Sequence, residues 1–193
     1  MISQSRNSEK EKELLSAALE LFVAYGFHGT PTSKIALQAG VANGTLFHYF
    51  KTKDELVLAL YVDIKQKMST YLEEHVLPET TLAGKFRAIF TNSMQWALAN
   101  KTSFQFLQQF QTSPYLSRIS PEETLGQVKD HLMLIQLAVD EGFFKPKPPE
   151  LILTMVMGHI FGLFQYLCSS DFTNDEQNKV IEQGFEMLMA MLK

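Results

Sequence analysis

Residues 40–56 read GVANGTLFHYFKTKDEL. Phe47, His48, Tyr49 and Phe50 follow one another, between Gly40 and Gly44 on one side and Lys51 and Lys53 on the other. An aromatic cluster of this kind suits a core, a ligand cage or a nucleic-acid surface equally well, so its neighbours decide its use. Leu46, Phe47 and Phe50 recur at helical spacing and predict a short helix after the turn Val41-Ala42-Asn43-Gly44. Thr52 and Glu55 have the spacing of a capping box, in which each side chain satisfies a free backbone N–H. They open a longer helix through Leu56, Leu60, Ile64 and Met68.

Upstream of the turn, Thr30 suits a helix cap, and Pro31 suits the first helical position, where no N–H partner is needed. Ile35, Ala36 and Ala39 give this two-turn helix an apolar face, and Gly40 ends it. Before it, Leu14, Ala17, Ala18, Leu21, Phe22 and Tyr25 line one face of a first helix, which Ser8 and Glu11 would cap and Gly26 would stop. Two short helices about a glycine turn describe a helix-turn-helix unit. Helices that short do not persist alone because nucleation is costly, so the first and fourth must hold them.

The remaining segments also read as helix. Pro78 closes the fourth; 81–99 and 101–111 follow; Ser120-Pro121-Glu122-Glu123 opens another that runs to Glu141 and stops at Gly142. Helices over 150–168 and 175–192 complete the chain, the last capped by Thr173 with Glu176. Strand alternation and 20–50-residue repeats are absent. The expected fold is all-α, about nine helices: a small N-terminal domain, residues 1–52, and a larger helical bundle, residues 53–193.

Composition narrows the class. Across 193 residues, 46% apolar and 20% charged is ordinary for a globular chain. A single cysteine, Cys168, excludes an intrachain disulfide and a thiolate metal site. The N-terminus has no uninterrupted apolar segment, and Gly158, His159, Gly162 and Gln165 break the greasiest stretch, so a cytoplasmic location is expected. Net charge is −4, but residues 1–53 carry six basic and four acidic groups, while the rest carries 11 and 17. A mildly basic head on an acidic body directs only the head toward a polyanion.

The run from Phe22 to Leu56 resembles the N-terminal domain of tetracycline-repressor (TetR) family regulators. The resemblance rests on Ile35-Ala36, Ala39-Gly40-Val41, Gly44-Thr45-Leu46, His48-Tyr49-Phe50 and Lys51-x-Lys53-x-Glu55-Leu56, and covers about residues 10–60. It implies that the third helix enters the major groove of double-stranded DNA. Asn43 is then the candidate base reader, since an amide pairs bidentately with adenine. Gly44 lets the backbone approach, and Thr45 reaches a phosphate or a thymine methyl. His48, Tyr49 and Lys53 fall within reach of phosphates, as do Thr30, Thr32 and Ser33 at the second helix. The family often has Lys or Arg where Asn43 stands and Tyr where Phe47 stands, which leaves the operator sequence open and removes one phosphate-binding hydroxyl. Phe47 suits core and surface alike.

The resemblance further implies an effector-binding and dimerisation body. Candidate ligand contacts are Phe86, Phe90, Met94, Trp96, Phe104, Phe110, Tyr115, Met133 and His159, with Phe106 beside them, and they suit a small apolar or aromatic molecule. Leu151, Met155, Phe185 and Leu188, with Gly158 and Gly162 allowing close approach, are candidates for a homodimer interface. Two copies would read half-sites about 34–36 Å apart, and ligand binding would move the fourth helix and the spacing of the heads. No cofactor or metal is expected: the histidines at 28, 48, 75, 131 and 159 lack ligand spacing. An enzyme is disfavoured because no phosphate loop, nucleophile elbow or H-E-x-x-H motif occurs. A DNA-binding regulator without an effector is the other alternative; an empty or fully packed body would support it, as turnover of a substrate would support the enzyme.

Overall fold

The computed structural model describes residues 2–76, 79–119 and 121–193, with the side chains of 2–8 and 121–127 outside that description. Pro78 and Ser120, read as a helix stop and a helix cap, therefore lie outside the described residues, as do the side chains of Ser8, Glu122 and Glu123. Among the described residues there are nine α-helices and no strand: α1 (Ile2–Tyr25), α2 (Thr32–Gln38), α3 (Asn43–Tyr49), α4 (Lys53–Val76), α5 (Leu82–Ala99), α6 (Lys101–Gln111), α7 (Pro121–Asp140), α8 (Pro149–Cys168) and α9 (Asn174–Leu192). A 3-10 turn, Leu116–Arg118, follows α6.

Backbone chemistry sets most of these ends. Gly40 has φ of 66°, its N–H reaches the Leu37 carbonyl at 3.1 Å, and the Val41 N–H reaches that of Ala36 at 2.9 Å. This paired closure uses up the last carbonyls of α2 and requires the left-handed conformation that glycine tolerates. Thr173 and Glu176 form the expected capping box of α9. At α4 the Glu55 N–H donates to Thr52 Oγ1 at 3.1 Å, but the Glu55 carboxylate accepts from the Lys51 N–H rather than that of Thr52. α1 begins well before Ser8, so the start signal read there lies inside the helix. Pro31 is the cap residue of α2 rather than its first residue, and it makes no side-chain cap bond.

The chain packs as two compact units that do not divide at residue 52. The first comprises Met1–Lys67 and Asn100–Ile119; the second comprises Met68–Ala99 and Ser120–Lys193. α4 is unbroken across residue 60, and α6 belongs to the first unit, where it packs on α1. The physical reason is aromatic. Phe22 and Phe27 need cover, and Phe106 supplies it, with ring centroids 6.4 and 5.6 Å away. Tyr115 lies 5.1 Å from Phe27, and Tyr61 of α4 stacks on Phe110 at 4.1 Å. Gln109 adds a hydrogen bond of 3.1 Å from its amide to the Val23 carbonyl. Such ring pairs contribute beyond their burial, about 0.5–1.5 kcal/mol each.

In the second unit Phe90 and Phe185 pack at 5.6 Å, and Phe86 and Phe144 at 4.6 Å, joining α5, α9 and the segment after α7. Gly184 lets α8 and α9 close, because a Cβ there would lie 2.6 Å from Leu163 Cδ2. α8 is long and apolar enough to cross a membrane by length and composition, with mean hydropathy 1.7, yet only 22% of it is buried. Its uncovered side is therefore unusually greasy.

Candidate nucleic-acid interface

α3 is amphipathic in the sense that a recognition helix requires. Leu46 and the following Phe50 are buried at 0% and 5%, against α2 and the rest of the first unit, while Asn43, Gly44, Phe47 and His48 are exposed. Thr45 and Tyr49 are half-buried at the margin. The His48 and Tyr49 rings meet edge to face at 5.7 Å, and Tyr49 and Phe50 lie at 6.4 Å. The cluster thus grades from core at Phe50, through Tyr49, to surface at His48. Phe47, open to either side from sequence, stands outward with 42% of its surface exposed.

Cations and hydroxyls flank this face. Lys53, the first residue of α4, is half-buried with its ammonium 6.0 Å from the Phe22 ring centre, and burial lowers its pKa below the ordinary lysine value. Lys34 of α2 sits over Tyr25 at 3.6 Å, a cation–π contact that fixes an otherwise flexible side chain. Ser33 is exposed and Thr32 half-buried at the start of α2.

Thr30 is a correction. The family resemblance implies a phosphate contact, but the side chain is fully buried, and its hydroxyl lies 2.9 Å from the Gly26 carbonyl and 3.1 Å from that of Leu21. A hydroxyl has one proton to donate, so these two carbonyls share it, and the side chain clasps the end of α1 to the start of α2. Gly29 lies beside it. A Cβ there would lie 2.4 Å from the Tyr25 carbonyl oxygen, so the chain passes its own helix end at a distance that only glycine permits.

The candidate ligand contacts do not form one set. Phe104, Phe110 and Tyr115 are buried in the first unit, in the aromatic core that covers α1 and α4. Phe86, Phe90, Met94, Trp96, Met133 and His159 belong to the second unit. Phe90, Met94 and Trp96 are buried, Phe86 is half-buried, and Met133 is 60% exposed, which removes it from the interior of its unit. His159 donates from Nε2 to the Gly184 carbonyl at 2.8 Å and lies 5.9 Å from Phe90, so it ties α8 to α9. An open cavity of about 340 Å³ in the second unit, lined by residues including Arg87, Phe143, Phe185 and Lys193, contains none of these nine.

The dimer candidates also separate. Leu151 and Met155 are about half exposed, and Gly158 and Gly162 face open space, with nothing within 4 Å of an added Cβ. Phe185 and Leu188, by contrast, are buried at 4% and 3% inside the second unit. The outward apolar residues that sequence periodicity passed over are Tyr166 on α8 and Met187 on α9, more than half exposed. Among the described residues no three metal-ligating side chains converge.

A short helix seated by a glycine turn, with a polar outer face and flanking cations, defines a DNA-binding protein of the helix-turn-helix class. Residues 14–60 match the family model for bacterial regulatory proteins of the tetR family, and residues 61–192 match that for the tetracyclin repressor-like C-terminal domain. The chain belongs to the TetR family of transcriptional regulators and is not an enzyme. It is 26% identical to the fatty acid metabolism regulator protein of Bacillus subtilis over 95% of this chain and 94% of that one. It is 30% identical to the transcriptional regulator BetI of Pectobacterium atrosepticum over 80% of each. Among solved structures, a putative tetR family regulator from Shewanella sp. PV-4 superposes with a TM-score of 0.85 at 28% identity, covering 95% of this chain and 97% of that one. The fold is shared with the B. subtilis regulator FadR in complex with stearoyl-CoA, at a TM-score of 0.75 and 21% identity, covering 94% and 99%.

Proposed function

We propose that the protein is a homodimeric cytoplasmic repressor that leaves its operator when a molecule with a long apolar chain and an anionic group binds. In this reading residues 1–52 carry the DNA-reading surface, joined by Lys53 at the start of α4, and residues 53–193 carry effector binding and dimerisation, although packing lends α6 to the first unit. Asn43 and Gly44 face base edges; Thr45, His48, Tyr49 and Lys53 hold phosphates with Thr32 and Ser33. Phosphate contacts position the head and base contacts specify the site.

The observation that carries the effector class is the likeness, across nearly the whole chain, to a regulator of fatty acid metabolism. Lys65 supports it from this chain's own chemistry. It is half-buried on α4, one turn beyond Tyr61, and burial lowers its pKa; among the described residues its ammonium has no hydrogen bond or ion pair. A desolvated cation without a counter-ion is costly, and an anionic ligand group would relieve it. Phe104, Phe110 and Tyr115 belong to the same unit as Lys65 and are the apolar candidates for the chain of a ligand held there. The dimer reading rests on the stripe Leu151, Met155, Gly158, Gly162 and Tyr166 along α8, with Met187 on α9: apolar surface that one protomer leaves wet.

The test is release of a fluorescent operator fragment by free fatty acids and acyl-CoAs of increasing chain length. Release that strengthens with chain length and requires the anionic group is expected. No release across the series would refute the effector class and leave DNA binding untouched.

A further inference from the structure

The outward face of α3 holds one large apolar side chain, and no role in binding phosphate accounts for it. Phe47 has no hydroxyl to donate, yet it stands 42% exposed between Asn43 and Gly44 on the preceding turn and His48 beside it. Side chains on a helix lean toward its N-terminus, which directs Phe47 toward the side of α3 that carries Asn43 and Gly44. At Gly44 an added Cβ would find nothing within 4 Å. The backbone at Gly44 is therefore open, with no side chain between it and whatever the helix faces.

In the major groove only one base offers an apolar group, the 5-methyl of thymine. We propose that Phe47 is a specificity-determining residue that packs against a thymine methyl in each half-site, next to the base pair read by Asn43. The inference rests on α3 being the DNA-reading helix. It assigns to the aromatic cluster a base-reading member as well as its phosphate-binding ones, and it makes at least one thymine per half-site part of the operator.

Burying one methyl contributes about fourfold in affinity, or about fifteenfold when both half-sites lose it. The experiment selects bound sites from random-sequence DNA with the full-length wild-type protein. Each thymine of the selected site is then replaced, in symmetric pairs, by deoxyuridine, which differs only by the methyl. One pair of replacements should weaken the wild type by about that factor, whereas Phe47→Ala should bind the thymine and deoxyuridine sites equally. Thermal melting of the DNA-free variant checks that it folds, as an exposed position predicts, and Phe47→Leu, which keeps an apolar contact, should retain part of the preference. If no replacement weakens the wild type, or if Phe47→Ala keeps the wild-type ratio between the two sites, the proposal is wrong. Failure of the wild type to select any site would instead strike at α3 as the reading helix, and the proposal would fall with it.

Discussion

Replacing Thr30 by valine separates two uses of one hydroxyl. The side chain is fully buried, and its oxygen lies 2.9 and 3.1 Å from the carbonyls of Gly26 and Leu21. Valine has nearly the same outline but cannot donate, so the change removes a buried hydrogen bond and leaves carbonyls short of a donor. The expected cost is about 1–2 kcal/mol. For a chain of this length that corresponds to a fall in Tm of roughly 2–8 °C. The assay is thermal unfolding of the DNA-free protein followed by circular dichroism, with Thr30→Ser alongside. Serine retains the donor and should recover most of the loss. Ser33→Ala provides the contrast, because an exposed hydroxyl at the start of α2 should affect DNA affinity and leave the melting temperature alone. An unchanged Tm for Thr30→Val would refute the clasp.

Gly29→Ala should destabilise the first unit by about 1–3 kcal/mol, read by urea unfolding, because its Cβ would lie 2.4 Å from a backbone oxygen that cannot swing aside. Lys65→Met should raise the melting temperature at pH 7 while weakening release by anionic ligands. The folded pKa of Lys65 lies below its ordinary 10.5, so protonation opposes folding at neutral pH. Wild-type stability should accordingly rise as pH climbs through the folded pKa toward 10.5, and Lys65→Met should lose that rise; equal pH profiles would contradict the assignment. Met155→Glu would bring two charges into the apolar stripe of a two-fold dimer. It should shift the protein toward monomer in sedimentation at micromolar concentration and lower operator affinity with it, and a dimer of wild-type strength would remove α8 from the interface.

Much of the head was legible because its signals are local. Glycine at Gly40, the apolar spacing of Ile35, Ala36, Leu46 and Phe50, and the pair Thr52 with Glu55 each act within a few residues, and the helices begin and end within one or two positions of where these place them. The same local logic misplaced Thr30. A hydroxyl before a proline looks like a helix cap, and nothing nearby in sequence says that the carbonyls of Leu21 and Gly26 lie closer than solvent.

Periodicity identifies which residues are apolar and which share a face; it does not say which face finds a partner. Phe104, Phe106 and Phe110 read the same whether α6 lines a ligand chamber or covers α1. Tertiary packing put Phe106 against Phe22 and Phe27 and Phe110 against Tyr61, because those rings were the apolar surface left uncovered. Phe185 and Leu188 carried the same apolar signal as Met187, yet the first two went inward and the methionine stayed out. The sequence by itself determined an all-helical regulator and the aromatic run of the proposed DNA-reading edge, since capping, turn geometry and helical spacing are short-range. Only the tertiary structure decided that Phe47 faces outward, that Thr30 is a clasp and that α6 belongs with the head. Those outcomes depend on which distant surfaces compete for burial.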